Sequence, residues 1–474
     1  MFVIHFSAEC YPVAKVGGLA DVLGALPKYQ QQAGLRAAVV MPYVRKPFVE
    51  SHEMLIVHSG EIVQDSVVKP YVVLKERHDV LGFELYLIQI PGLLDREEVY
   101  CYPDESLQFL AFQHAALQWI CFAGLQPDII HCHDHHVGLI PFFLENVPLF
   151  RRIKRTPTVA TIHNAQYQGW QPWDMLRFYP PFDDYRAFML EYNGQINPLA
   201  SLVRSAWHYT TVSEGYLREL FREANGLERL FAEFSFKATG IVNGIDKQVW
   251  DTKNDPMLAN NYSLKDAGRG KQANKLALCE QYGLDVALPL VVFIGRFALE
   301  KGADLLPSVI RQVLNNNQGK VNFLVLGSGD AQVTWELQQL FGNYSQQMGL
   351  YIGYNEGLAH QIYASADFLL MPSWVEPCGL NQLYALRYGT IPIVSATGGL
   401  RDTVIDISEP NGYGFLFSKA DIGAAVTAIE RAISLFENNE QVSKIRKHIM
   451  QLDFSWEKSA AKYQAIYTEL VEVK

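Results

Sequence analysis

Lys15, Arg296, Lys301 and Glu376 stand in short glycine- or proline-marked stretches where charged groups can meet a ligand. Lys15 opens KVGGLAD (15–21), directly after a first apolar run and at the start of a helical pattern. Paired glycines let the backbone come close to a ligand, and the bare N–H groups of a helix start attract phosphate. Arg296 and Lys301 lie on GRFALEKG (295–302), again between a strand pattern and a helix pattern. Two cations on one short loop suit a diphosphate clamp, each charge-assisted hydrogen bond contributing roughly 1.5–3 kcal/mol. Glu376 sits in SWVEPCGL (373–380), where the following proline biases it toward extended backbone and a helix begins near Gly379. A carboxylate beside free backbone donors can hold sugar hydroxyls. Solvated surface charges and an ordinary helix-start carboxylate fit each stretch taken alone.

Three further stretches carry candidates. ATGGLRD (396–402) repeats the GGL-x-D of residues 17–21, one copy in each half of the chain. HCHDHH (131–136) packs four histidines around Asp134. A binuclear hydrolase pattern HxHxDH would need aspartate at 135 and histidine at 136, so the register is off by one. TIHNAQYQGW (161–170) places His163 at a strand end, and VNGID (242–246) carries an Asn-Gly turn signal. Both remain open between structural and ligand-facing roles.

The elements that must position these residues follow an alternating pattern. Candidate strands are FVIHFS, AAVVMPY, FELYLIQI, DIIHCH, TVATIH and HYTTVS, then LVVFIG, NFLVLG, LYIGY, DFLLMP and PIVSA. Continuous Val/Ile/Leu runs suit parallel strands covered on both faces, and helical patterns lie between them. The chain therefore reads as α/β, two doubly wound Rossmann-like domains. The polar stretch 251–288 reads as the connection, giving domains at 1–250 and 251–454. The segment 455–474 reads as a terminal helix crossing back to the first. Facing crevices at the strand C-termini would make an interdomain cleft.

Composition narrows the class. Net charge is −10, which argues against a nucleic-acid surface, since that would need a basic stripe. No apolar run reaches the roughly 20 residues of a membrane span. Six scattered cysteines without a CxxC pair suit free thiols in a reducing compartment, so a cytoplasmic protein is expected.

In their order, the motifs resemble those of bacterial glycogen synthases and plant starch synthases. These are ADP-glucose-dependent α-1,4-glucan synthases of the GT-B fold. The family's KxGGLxDV, HNxxYQG, NGID, GR…KG, EPCGL and TGGLxDTV appear here as KVGGLADV, HNAQYQG, NGID, GRFALEKG, EPCGL and TGGLRDTV. The resemblance implies retaining transfer of glucose from ADP-glucose to an α-1,4-glucan such as glycogen, starch or a maltooligosaccharide. It assigns catalytic roles to Lys15, Asp134, His163, Arg296, Lys301 and Glu376. Donor contacts would come from Lys15, Gly17, Gly18, Asp21, Arg296, Lys301, Tyr354, Glu376, Cys378, Gly379, Leu380 and Asn381. The acceptor and glucose region would involve Asp134, His163, Asn164, Tyr167 and Asn243. No DxD motif is present, so no metal or other cofactor is expected. Departures are His135 for the family's Trp, Val375 for an aromatic residue, and Asn381 for Thr or Ser. Tyr384 also stands where related transferases hold ribose with a second glutamate. UDP-glucose or a small acceptor is the alternative within the fold. A metal-dependent hydrolase using His131, His133, His135 and His136 is the alternative outside it.

Overall fold

FVIHF, buried at every position, forms the central strand β1 (Phe2–Phe6) of the first sheet. The computed structural model describes residues 1–473. Contacts divide the chain into one unit of residues 1–212, 217–244 and 456–474, and a second of 213–216 and 245–455.

In the first unit the strands that follow are β2 (Arg36–Pro42), β3 (Met54–Gln64), β4 (Val67–Glu76) and β5 (Glu84–Gln89). Next come β6 (Ile129–His133), β7 (Thr158–Ile162), a small hairpin β8 (Glu191–Tyr192) and β9 (Gln195–Ile196), then β10 (His208–Thr211) and β11 (Ala238–Gly240). Nine of them form one sheet in the order β11-β10-β7-β6-β1-β2-β5-β4-β3. All neighbours are parallel except β3–β4 and β4–β5. The β3–β4 hairpin lies outside the candidate strands read from sequence. It turns at Asp65 and Ser66, both at positive φ, and leaves Ile56, Val57, Val67 and Val68 exposed. An edge hairpin that does not bury one face lacks the clean alternation by which strands are recognised.

The helix Gly18–Gln32 covers one face of this sheet, and the terminal helix Trp456–Val473 packs beside it. Trp456, Tyr463 and Tyr467 of that last helix are fully part of the first unit's core. A Cβ at Gly244 would lie 2.4 Å from the backbone nitrogen of Trp456, so only glycine lets the chain leave the unit past its own returning end.

The second unit is a six-stranded parallel sheet ordered β14-β13-β12-β15-β16-β17. Its strands are β12 (Leu290–Phe297), β13 (Asn322–Gly329), β14 (Met348–Ile352), β15 (Phe368–Met371), β16 (Ile391–Ser395) and β17 (Phe415–Phe417). The polar stretch 251–288, read as a connection, is instead part of this unit and contains the helix Ala267–Tyr282. Its lysines misled the reading because they are buried. The Lys271 side-chain nitrogen lies within hydrogen-bonding distance, 2.8–3.1 Å, of the carbonyls of Tyr363, Ala364 and Tyr388 and of the Thr390 hydroxyl. Lys275 is paired with Asp367 at 2.7 Å. Each lysine closes hydrogen bonds that would otherwise be left open in the interior.

Candidate active site

Both sheets reverse their winding direction beside their first strand. In the first unit the chain runs from β1 outward through β2, then returns to β6 on the other side. In the second it runs from β12 through β13 and β14, then returns to β15. Ligands of open parallel sheets bind beyond the strand C-termini at such switch points. KVGGLAD follows β1 and Asp134 follows β6; GRFALEKG ends β12 and SWVEPCGL follows β15. The topology therefore brings these four stretches to the switch points of their own units, whereas His163, Asn243 and Tyr354 follow β7, β11 and β14.

In the first unit the glycine loop hangs on a residue that motif reading missed. Buried Glu9 accepts hydrogen bonds from the backbone N–H groups of Val16 (2.5 Å) and Gly17 (2.9 Å) through Oε2. Its Oε1 accepts from the Tyr100 hydroxyl at 2.6 Å. Lys15 is exposed, ion-paired with Asp21 at 2.7 Å. A Cβ added at Gly17 or Gly18 would meet nothing within 4 Å.

Asp134 is buried with backbone in the left-handed region, φ 61°. Non-glycine residues persist there only when the surroundings hold them, commonly at functional sites. Its Oδ1 accepts from the His163 N–H at 2.7 Å, and the Asn164 N–H adds a second backbone hydrogen bond. The Asn164 N–H and the His163 carbonyl share one peptide plane, so Asp134 fixes the direction of that carbonyl. Burial pushes the Asp134 carboxyl up to about 7, against the lowering effect of these N–H groups.

Behind Asp134 lies a buried chain of polar groups. The Ala160 carbonyl can only accept, so Thr210 donates to it (3.3 Å) and Thr161 donates to Thr210 (2.7 Å). His131 Nε2–H then donates to Thr161, the Tyr467 hydroxyl to His131 Nδ1, and the Gln30 amide to Tyr467, at 2.7, 2.7 and 3.1 Å. Gln30 Oε1 accepts from His5 Nε2–H (2.7 Å), His5 Nδ1 from His133 Nε2–H (3.0 Å), and His133 Nδ1 from His163 Nε2–H (3.0 Å). This one direction satisfies every group and leaves His163 Nδ1 an acceptor. Burial holds the imidazoles neutral, lowering His5 to about 4, His163 to about 3, and His131 and His133 well below the ordinary range. His131 and His133 are thus spent on hydrogen bonds. His135 and His136 point to a separate place, and the four-histidine metal cluster does not form.

In the second unit Lys301 bridges both oxygens of Glu376, at 2.7 and 2.8 Å. Ser373 donates to Glu376 Oε2 at 3.1 Å, and the Glu376 carbonyl accepts from the Gly399 N–H at 3.0 Å. Glu376 is buried and the lysine head half-open. Gly302 follows Lys301 at φ 66°, where a Cβ would lie 2.0 Å from the Pro372 carbonyl oxygen; glycine is what lets the two loops meet. Arg296 is exposed and paired with Glu300 at 2.7 Å. Cys378 is buried, Gly379 turns at φ 76°, and Leu380 caps the helix Asn381–Arg387. Tyr354, after β14, presents an exposed ring and donates to Glu356 at 3.1 Å.

The starch synthase catalytic domain family matches residues 2–233, and the glycosyl transferases group 1 family matches residues 276–448. A glycogen synthase of Flavobacterium johnsoniae is 48% identical over 474 residues, the full length of both chains. The chain belongs to the glycogen synthase family. A second family member, from Geobacillus thermodenitrificans, is 36% identical over all of this chain and 98% of its own. The catalytic domain of starch synthase IV from Arabidopsis thaliana, solved bound to ADP and acarbose, superposes with a TM-score of 0.88. It is 30% identical and 99% of each chain is covered. Sucrose-phosphate synthase from Thermosynechococcus elongatus, 19% identical with a TM-score of 0.64 over the whole of both chains, shares the fold. This member of the family is a glycosyltransferase with the two Rossmann-like units of the GT-B fold.

Its departures from the family motifs have structural addresses. Asn381 donates to the Ile294 carbonyl at 2.6 Å, tying the helix start to the end of β12. Tyr384 stacks on Trp250 at 3.7 Å and is a packing residue. Val375 is exposed, its N–H donating to the Glu300 carbonyl at 3.2 Å. Asn164 accepts from the Gln166 N–H at 3.0 Å and Tyr167 is exposed on the same loop. Asn243 is buried with Oδ1 unpartnered. Among the described residues no helix is long and apolar enough to cross a membrane.

Proposed function

We propose that this chain transfers glucose from ADP-glucose to the non-reducing 4-hydroxyl of an α-1,4-glucan, with retention, and releases ADP. The observation that carries the reading is a shared pattern among the cations assigned to the diphosphate. Lys15 rests on Asp21, Arg296 on Glu300 and Lys301 on Glu376, all at 2.7 Å. The first two pairs are solvent-exposed, and such pairs contribute about 0–1 kcal/mol, so a doubly charged phosphate displaces them readily. The second unit is assigned the nucleotide-sugar side and the first unit the glucan side.

In the transfer, the C1–O bond to the diphosphate breaks and its electron pair leaves with ADP. The 4-hydroxyl oxygen forms the new bond to C1, and its proton passes to the departing phosphate. Cations held at the leaving group act where negative charge grows, which is where stabilisation lowers the barrier most. The carbonyl of His163, its peptide plane fixed by Asp134, faces the developing positive charge of the sugar. Glu376 holds glucose hydroxyls beside the backbone of Cys378–Leu380. Side-chain cations fill the role that a diphosphate-bound metal has in other transferases.

Incubation with ADP-glucose and glycogen is expected to release ADP and lengthen chains. UDP-glucose and an acceptor panel of maltooligosaccharide, sucrose and lipid-linked sugar run beside it. Preference for UDP-glucose or a small acceptor would move the assignment within the fold, and silence with both donors would refute it.

A further inference from the structure

Among the described residues two groups have donor atoms within 4.8 Å of one another, as metal ligands do: His5, His131 and His133, and Glu105, His135 and His136. They differ in what their nitrogens already do. Both nitrogens of each of His5, His131 and His133 are engaged in the buried chain described above. His135 and His136 each keep a buried Nδ1 with no hydrogen-bond partner. A buried polar atom left open is costly, and two on adjacent residues call for a shared partner.

The surroundings favour a cation as that partner. His135 is 9% exposed, its Nδ1 has no partner, and the Tyr167 backbone acts on the ring as a hydrogen-bond partner. A histidine that gives one N–H to a carbonyl presents the other nitrogen as a lone pair, the usual state of a metal-bound imidazole. The ring is fixed in place: a Cβ at Gly169, φ 73°, would lie 2.6 Å from His135 Cδ2. His136 is wedged between the Tyr100 and Phe109 rings at 4.7 and 4.6 Å. Glu105 spends one carboxylate oxygen on the Cys101 N–H at 2.7 Å, which leaves Oε1. All three line a cavity of about 30 Å³. Of the amides beside it, Gln113 is committed at both ends, to the Leu139 N–H and the Phe109 carbonyl, and the Gln171 oxygen accepts from Tyr179.

We propose that Glu105, His135 and His136 form a site for one divalent transition-metal ion of the zinc class. Two imidazole nitrogens, one carboxylate oxygen and one water complete a tetrahedral set. Glu105, on a long side chain at a helix start, supplies the adjustment that closes the ligands to bonding distance. The ion would tie the first turn of the helix Glu105–Phe122 to the residue after Asp134, bracing the strained backbone there. The proposal does not depend on the transferase reading.

The test is direct binding to the full-length protein, stripped with a chelator, then titrated with zinc and with cobalt. One equivalent is expected to bind, raise the melting temperature and, for cobalt, give the visible band of tetrahedral coordination. His135→Phe should abolish binding, and Glu105→Gln should weaken it at least tenfold. Should His135→Phe fail to fold, His136→Asn supplies the same test. Cys101→Ser should bind as the parent does, since the exposed thiol beside Glu105 is not a ligand. Absence of stoichiometric binding, with a water bridging the two nitrogens instead, would overturn the proposal. So would binding that survives the histidine substitutions or is lost in Cys101→Ser.

Discussion

At Gly398 and Gly399 an added Cβ would lie 2.1 Å from the Glu376 carbonyl oxygen and 2.2 Å from that of Cys378, whereas at Gly17 and Gly18 it would meet nothing within 4 Å. The same GGL-x-D is thus spent differently in the two units. In the second, the glycines let one loop press against the backbone that carries Glu376, and Asp402 completes the packing by accepting from the Gly215 N–H at 2.7 Å. In the first, Gly17 has an extended backbone open to any residue, φ −136°, and Asp21 is ion-paired with the exposed Lys15. Glycine that the fold itself does not demand speaks for close approach by something else. The carboxylates differ likewise: Glu376 has a lysine, while Asp134 is held by backbone N–H groups and is raised.

The largest effect should come from Gly398→Ala or Gly399→Ala, costing about 3 kcal/mol or more through backbone collision. Thermal unfolding checks this, and an unchanged midpoint would break the comparison. Lys301→Ala and Glu376→Ala should each lower turnover about 10²-fold while the protein remains folded, as for loss of a transition-state contact. Steady-state kinetics reads this, and near-normal turnover in either would remove its assigned role.

The raised Asp134 gives a signed pH dependence. Its folded pKa lies above the unfolded 3.8, so the folded state binds the extra proton and stability falls as pH rises from about 4 toward 7. Between pH 5 and 8 the parent should lose roughly 2–3 kcal/mol relative to Asp134→Asn, by denaturant titration at both pH values. Parallel curves would mean that the carboxyl is not raised. Gly17→Ala and Gly18→Ala should leave the melting temperature equal or slightly higher, by at most about 1 kcal/mol, yet cut kcat/KM about tenfold or more. Equal loss of stability in all four glycine variants would erase the distinction drawn here. The smallest effect is expected for Asp21→Asn, under about 1 kcal/mol in stability, because its ion pair is exposed.

The strand-end loops were legible in the sequence because apolar runs and glycines mark both sides of Lys15, Lys301 and Glu376. Glu9 was not: it carries no pattern, and its partners lie 7, 8 and 91 residues away. Nor was the histidine chain, since His131 reaches Tyr467 across 336 positions and only the folded sheet puts them side by side. The polar stretch 251–288 misled for a complementary reason. Lysines whose side-chain nitrogens are closed by carbonyls look, in composition, like those of a solvated linker.

The returning helix Trp456–Val473 has a consequence for how the molecule is made. A ribosome delivers β1 more than 400 residues before Tyr467, yet Gln30 and His131 complete their hydrogen bonds only with that tyrosine. The first unit therefore stays unfinished throughout synthesis of the second, its histidine-bearing floor open on one side. A chain stopped at residue 455 would carry every motif that resembles the family's and still lack the wall that sets the proton order beneath His163.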